Sequence, residues 1–259
     1  MEVHHHSHHP KKWKEYVTEF IMLFAAVTLG FFAENYREHQ IEKNREIQFL
    51  ENIHLDLKQD LKEIEFITAF NNEKKLMNDS LVIEYQNKGY QSNLKRFYYL
   101  LKNGIIRKFF DHSSSGFTQI KNAGGLRLIE DKSVIQKIIA IENTVLLIEG
   151  VQGSMDQNLM LLREKLNEIL DPVTNNEMNN NQTSMNISDP YKLLRRFQYP
   201  SNPNPLTTND YKEIGKIVNY YSAPIYSSRI INFYLSQLKK QEEELNAEIL
   251  KKFGDKFSK

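Results

Sequence analysis

Residues 134–166, "VIQKIIAIENTVLLIEGVQGSMDQNLMLLREKL", have the most regular apolar spacing in the chain. Seam residues recur there in alternating steps of four and three through 33 residues, which is typical of one long helix with a narrow buried face. Gln152 is the polar member of the seam and lies between Gly150 and Gly153, so we predict a kink or a local break at that point. The seam consists of Val134, Ile138, Ile141, Val145, Ile148, Gln152, Met155, Leu159, Leu162 and Leu166.

Two other stretches have helical seams. The first predicts a single helix that continues from the N-terminal apolar run to about Asn71, with seam residues Ile47, Leu50, His54, Leu57, Leu61, Ile64 and Thr68. We interpret His54 as a hydrogen-bonded packing residue. The second predicts a helix from roughly Tyr226 to Phe253, with one side formed by Ile231, Leu235, Leu238, Leu245 and Ile249. We interpret "KKQEEE", residues 239–244, as a solvated part of that helix.

Shorter elements lie between the long helices. We interpret Asp111-His112-Ser113 as a structural turn, because adjacent residues cannot form a catalytic triad without distant partners. Residues 171–190, "DPVTNNEMNNNQTSMNISDP", are rich in Asn and offer little to bury, which predicts a disordered or loosely held loop. Three long amphipathic helices with almost no strand pattern predict an all-α fold, an elongated helical bundle.

The stretch "TEFIMLFAAVTLGFFAENYREH", residues 18–39, contains the long apolar run. Its uncharged core, residues 20–33, is shorter than the roughly 20 residues that cross a bilayer. Residues 14–34, however, span about 30 Å of helix, and Trp13 and Tyr16 lie where an interfacial aromatic belt is expected. We therefore predict an uncleaved transmembrane helix over residues 13–36. A cleavable signal peptide and a buried helix of a soluble protein are the alternatives; Phe31, two residues before Ala33, makes a poor cleavage site.

One narrow side of the predicted span is small and polar. It contains Glu19, Ala26, Gly30, Ala33 and Arg37. The spacing of Ala26 and Gly30 lets two helix backbones approach closely, and Glu19 would then face protein rather than lipid. We expect this side to bind another transmembrane helix, either from a second copy or from a different membrane protein. Chance is the alternative, because Ala and Gly are frequent in membrane spans.

Five histidines precede the span: His4, His5, His6, His8 and His9. A tail without fixed geometry binds divalent metals weakly and without selectivity, so we interpret it as adventitious or as lying near lipid headgroups. Physiological metal sensing or storage is the alternative. Basic residues are balanced across the span, and acidic residues follow it. We expect a cytoplasmic N-terminus and a helical domain on the other side of the membrane, which in a bacterial inner membrane is the periplasmic side.

Composition excludes several classes of function. The net charge of +1 gives no electrostatic reason to expect nucleic acid as a partner. Because the chain has no cysteine, disulfides and thiolate metal sites are excluded. No candidate nucleophile and base occur at a sequence spacing that is typical of a catalytic site. We therefore predict neither catalytic activity nor a cofactor.

The sequence divides into five parts. These are a His-rich tail (1–12), an anchor helix (13–36), a long juxtamembrane helix with a helical bundle (37–170), an Asn/Pro-rich loop (171–205) and C-terminal helices that pack on the bundle (206–259).

Several segments resemble an uncharacterised family of single-anchor membrane proteins common in Bacteroidota. They are the His-rich start, "KKWKEYVTEFIMLFAAVTLGFFAENYREH" (11–39), "LDLKQDL" (55–61) and "GFTQIKNAGGLRLIEDKSVIQKI" (116–138). The resemblance covers about the first 150 residues. It implies a bacterial inner-membrane protein and carries no catalytic residue over to this chain.

Two classes of function agree with these features. The first is a membrane-anchored scaffold or accessory protein that binds partners through its helices. The second is a membrane-anchored sensor in which a ligand or a divalent metal changes the packing of the helices.

Overall fold

The computed structural model describes residues 12–122, 124–181 and 189–257. In these ranges the chain forms α-helices and no β-strand, which confirms the all-α fold. The helices are α1 (Trp13–Gln86), α2 (Gly89–Ser92), α3 (Leu94–Gly104), α4 (Ser115–Asn122), α5 (Lys132–Asn167), α6 (Pro172–Asn180), α7 (Pro190–Leu194), α8 (Tyr211–Tyr220) and α9 (Ser222–Phe253). Short 3-10 helices, Gly125–Arg127 and Gly254–Lys256, follow α4 and α9.

The three long helices α1, α5 and α9 form the frame of the bundle. α9 packs along both α5 and α1, whereas α1 and α5 lie further apart from each other. The short helices α3, α4 and α7 pack on α1, and α8 lies where α1, α5 and α9 meet. The space between α1 and α5 is therefore filled by other parts of the chain.

The seam predicted for α5 is confirmed at every position, because all ten of its residues are buried. The predicted break is wrong, since α5 runs from Lys132 to Asn167 without interruption. Gly150 and Gly153 lie on the exposed side of the helix, where a β-carbon would meet nothing within 4 Å. A glycine there costs about 1 kcal/mol relative to Ala. The packed apolar seam on either side outweighs that cost.

The seam of α1 is only partly as predicted. Leu50, Leu57 and Ile64 are buried, but the other four predicted positions are displaced by one residue. The structure buries Glu46, Ile53, Asp60 and Ile67 in place of Ile47, His54, Leu61 and Thr68. The polar residue Asp60 occupies a heptad position, and a search for apolar residues selects the neighbouring Leu61 instead.

Two other expectations for α1 have clear outcomes. The helix continues to Gln86, beyond the predicted end near Asn71, because its buried side extends through Met77 and Leu81. His54 is a hydrogen-bonded packing residue, as predicted: its Nδ1 lies 2.6 Å from Oδ1 of Asn246.

The seam predicted for α9 is confirmed at all five positions, but the interpretation of residues 239–244 as solvated is wrong at Glu242. Glu242 is fully buried because it occupies the heptad position between Leu238 and Leu245. The helix begins at Ser222, earlier than predicted, and includes Pro224 in its first turn. Proline is tolerated there because the first amides of a helix have no intrahelical acceptor.

The segment predicted as a loop, residues 171–205, contains α6 and α7. Each helix begins with an Asp-Pro pair: Asp171 Oδ1 accepts a hydrogen bond from Thr174 N at 2.8 Å, and Asp189 Oδ1 accepts one from Tyr191 N at 2.9 Å. The aspartate caps the helix and proline fixes its first turn. Met178 is buried and secures α6. Residues 182–188 lie outside the described ranges.

The connection between α3 and α4, residues 105–114, runs between α1 and α5, and we term it the strap. Side chains of both helices bind its backbone. Lys74 Nζ of α1 donates to Ile106 O at 2.9 Å. On α5, Gln152 accepts from Phe110 N at 2.7 Å and donates to Phe110 O at 3.1 Å. Gln152 thus supplies the hydrogen-bond partners that the buried Phe110 backbone, outside any helix or sheet, would otherwise lack.

Two aspartates of α1 bind the second half of the strap and the start of α4. Asp60 accepts hydrogen bonds from Ser113 N, at 2.7 Å, and from His112 Nδ1. Asp56 accepts from Gly116 N at 2.6 Å and so caps the start of α4. Gly116 is required at this point, since a β-carbon there would lie 2.8 Å from the backbone nitrogen of Ile53.

We predict that Gln152→Leu destabilises the protein by about 2–4 kcal/mol, because both backbone groups of Phe110 lose their partner while they remain buried. Gln157→Leu is the matched control, since Gln157 is exposed on the same helix. Urea unfolding of the full chain, followed by circular dichroism, measures both effects. Equal stability of the two variants would contradict the role given to Gln152.

Lys74 makes the stability of the strap dependent on pH. Burial, together with the charges of Arg163 and Arg107, lowers the pKa of Lys74 from 10.5 to about 7. Between these values the unfolded chain binds a proton that the folded chain does not. Stability therefore falls as the pH decreases from 10.5 towards 7, by about 1.4 kcal/mol per pH unit at most.

We predict that Lys74→Met removes this dependence. Between about pH 7.5 and pH 9.5, the free energy of unfolding of the native protein should rise by roughly 2–3 kcal/mol relative to that of the variant. Lys75→Met is the control, because the Lys75 ammonium lies at the surface beside Asp79. Denaturant unfolding at several pH values measures the slopes. Parallel curves for the native protein and Lys74→Met would be inconsistent with a neutral buried amine.

Candidate functional site

The first part of α1 lies outside the bundle. The first buried residue of this helix is Glu46, and the side chains before it are exposed almost throughout. By length and composition this part of α1 can cross a membrane, and none of its most apolar window is buried by the rest of the described chain. The alternative of a helix buried in the protein's own core is therefore wrong.

The predicted binding side of the span is open. Glu19, Ala26, Gly30, Ala33 and Arg37 are all exposed along α1. A β-carbon at Gly30 would meet nothing within 4 Å, so a second backbone could approach there. Arg37 Nε donates to Glu34 Oε2 at 3.0 Å, one turn earlier on the same helix. The interface with another transmembrane helix stays a prediction. The histidine tail, His4 to His9, lies outside the described residues.

Glu46 marks the point where α1 enters the bundle. Its Oε1 accepts a hydrogen bond from Glu130 N at 3.1 Å, and burial raises the pKa of its carboxyl group. Next to this contact, Lys252 of α9 pairs with Asp131, the N-cap residue of α5. The ten steps along the helix from Tyr36 to Glu46 correspond to about 15 Å. The bundle thus begins well beyond the end of the predicted span.

A cluster of three titratable residues lies inside the bundle: Asp60 of α1, His112 of the strap and Glu242 of α9. Asp60 and Glu242 are fully buried, and the His112 side chain is 9% exposed. Each residue offers one potential ligand atom, and these three atoms lie within 4.8 Å of one another. We term these residues the Asp-His-Glu cluster.

Two members of the cluster, Glu242 and His112, have polar atoms without a hydrogen-bond partner among the described residues. Neither carboxylate oxygen of Glu242 has a hydrogen-bond donor within the ranges that the structure describes, and the same holds for His112 Nε2. The adjacent Asp60 carboxylate is an acceptor, so a bond between the two acids requires a shared proton. Burial, with the charge of Asp60 as a second cause, raises the pKa of Glu242 to about 9.

The residues of the Asp-His-Glu cluster are those that the sequence interpretation missed. The apolar period selects Leu61 in place of Asp60, and the charge pattern places Glu242 in a solvated stretch. His112 lies in a connection, as its interpretation as part of a turn predicts, and its distant partners are Asp60 and Glu242. One signal was available: both acids continue the heptad steps of their seams.

No protein-family model, curated protein or solved structure matches the chain. The resemblance to the Bacteroidota family stays a prediction.

Proposed function

We propose that the chain is a single-pass membrane protein that acts as a helical scaffold or accessory subunit and has no catalytic activity of its own. The observation that supports this most strongly is the exposed apolar surface of α1. Nine large apolar side chains between Phe20 and Phe32 are exposed. At about 1.5–3 kcal/mol each, their contact with water costs on the order of 20 kcal/mol. A lipid bilayer removes that cost.

The continuity of α1 supports the role of a scaffold. The same helix carries the exposed apolar segment and the seam on which α9, α3 and α4 pack. Since no break separates the two parts, the bundle would stand at a fixed distance from the bilayer. Such an arrangement positions a soluble domain for partners beside the membrane, on the periplasmic side of a bacterial inner membrane in our proposal.

The open side of the span supports a helical partner in the membrane. Gly30 and Ala26 leave a shallow groove between larger side chains, which favours close packing of a second helix. We propose that a second copy of the chain, or a different membrane protein, binds there.

The second candidate function is a membrane-anchored sensor of a ligand or a divalent metal. The observation that favours it is the Asp-His-Glu cluster, because Asp60 belongs to the same helix as the span. A change at the cluster would act directly on the element that enters the membrane.

Alkaline carbonate extraction of membranes that contain the full chain tests the anchor. We expect the native protein to remain in the pellet, with a mature N-terminus upstream of Trp13. The double variant Phe24→Arg/Val27→Arg should move to the supernatant, because each central charge costs about 2.5–3.5 kcal/mol in the bilayer. Release of the native chain, or a mature form that begins after Ala33, would contradict the proposal.

The Gly30→Leu variant tests the binding side. We expect it to weaken association of the span roughly tenfold, because the larger side chain separates the two helices. Phe32→Leu, on the opposite side of the helix, is the control. The oligomer size in detergent and the stoichiometry of co-purifying proteins are measured for both. If Gly30→Leu retains the same complexes as Phe32→Leu, the small side of the span is not an interface.

A further inference from the structure

Two buried carboxylates face each other inside the bundle, beside an imidazole. We propose that the Asp-His-Glu cluster binds one divalent transition-metal ion, such as Zn²⁺ or Mn²⁺, and that this ion links α1, the strap and α9. Asp60 and Glu242 each supply a carboxylate oxygen, and His112 supplies a ring nitrogen. The inference is independent of the membrane anchor, since it rests on the interior of the bundle alone.

The donor set has the composition of a metal site. Imidazole nitrogen combined with carboxylate oxygen suits Zn²⁺, Mn²⁺ and Fe²⁺, at bond lengths of about 2.0–2.2 Å. Atoms bound to one such ion lie at most about 4.4 Å apart. The three candidate atoms lie within 4.8 Å of one another, so a small closing movement of the side chains suffices. The residues come from three separate elements, and a common ion would cross-link them.

The state of Glu242 points independently to a bound cation. This residue is fully buried, and neither oxygen of its carboxylate has a hydrogen-bond donor in the described part of the chain. Native proteins seldom leave a buried polar group without a partner. A buried carboxylate without a counter-charge is costly, and a second carboxylate beside it increases the cost. A divalent cation between Asp60 and Glu242 satisfies both acids at once.

The surroundings of the cluster orient the ligands. The second oxygen of Asp60, Oδ1, accepts a hydrogen bond from Ser113 N at 2.7 Å, which fixes the carboxylate. The His112 ring packs against Phe117, with ring centroids 5.0 Å apart, and against Phe110, at 6.5 Å. Such contacts around a metal site hold its ligands in position and limit the access of water.

A shared proton is the competing occupant of the cluster. It would bridge Asp60 and Glu242 without any metal, and the imidazole would pair with Asp60 as it does in the structure. The two occupants differ in one measurable respect, which is whether the folded protein binds a stoichiometric divalent ion through Glu242.

The test uses the full chain in detergent with His4, His5, His6, His8 and His9 replaced by Ala, because this tail would bind metal by itself. After removal of metal with a chelator, the protein is titrated with Zn²⁺ and Mn²⁺ by calorimetry and with Co²⁺ by visible absorption. We expect one site per chain for Zn²⁺ and for Co²⁺. Zn²⁺ should also raise the melting temperature.

Glu242→Gln and His112→Gln should each weaken Zn²⁺ binding at least about 100-fold, since each removes a direct ligand. Glu243→Gln is the matched control, because Glu243 is the exposed neighbour on α9. Circular dichroism verifies that each variant folds, and Glu242→Gln keeps the shape of the side chain while it removes a buried charge.

Three results would overturn the proposal. The first is that none of the three ions binds saturably to the protein whose tail histidines are replaced by Ala. The second is equal affinity of the Glu242→Gln and Glu243→Gln variants. The third is an equal rise in the melting temperatures of the Glu242→Gln and Glu243→Gln variants when Zn²⁺ is added. Each would assign the Asp-His-Glu cluster to a shared proton.

Discussion

The bundle depends on hydrogen bonds between buried polar side chains and the backbone of the strap. α1 and α5 do not pack closely on each other, and the strap lies between them. The strap belongs to neither a helix nor a strand over residues 106–114, and each buried backbone group left without a partner costs about 1–3 kcal/mol. Gln152, Asp60 and Lys74 occupy heptad positions, and their side chains supply the hydrogen-bond partners that remove this cost. Ion pairs from Arg107 to Asp156 and from Lys108 to Glu63 add contacts to the same two helices at the edges of the strap.

This requirement explains which parts of the fold could be predicted from the sequence. The seam of α5 is apolar apart from Gln152, so its period alone identifies every buried position of that helix except Thr144. In α1 and α9, some seam positions are polar because their side chains bind the backbone of Ser113 or belong to the Asp-His-Glu cluster. A search for apolar periodicity passes over these residues. The Asp-Pro pair before α6 is a local signal of a helix start that the Asn-rich composition outweighs. The strap itself was not predictable, since its hydrogen-bond partners Lys74, Gln152 and Asp60 lie 32 to 53 residues away in sequence.

The two candidate sites also differ in how far they can be predicted from the sequence. The small side of the span lies on a single helix, so its five residues, from Glu19 to Arg37, can be grouped from the helical period alone. The Asp-His-Glu cluster joins residues 60, 112 and 242, each of which has an ordinary local explanation as a surface or turn residue. In our proposals α1 connects the two sites, because it contains both the span and Asp60 without a break. A metal ion in the bundle and a partner in the membrane would therefore act on one rigid element.

Hydrogen exchange of the strap amides tests the central claim most directly. The full chain is labelled in detergent, and mass spectrometry follows peptides that cover residues 106–116. If seam side chains bind the strap as the structure has it, the amides of Phe110, Ser113 and Gly116 will exchange as slowly as those in the buried middle of α5. Exchange of these three amides at the rate of an unprotected loop would contradict the account, since the strap would then not be bound between the helices.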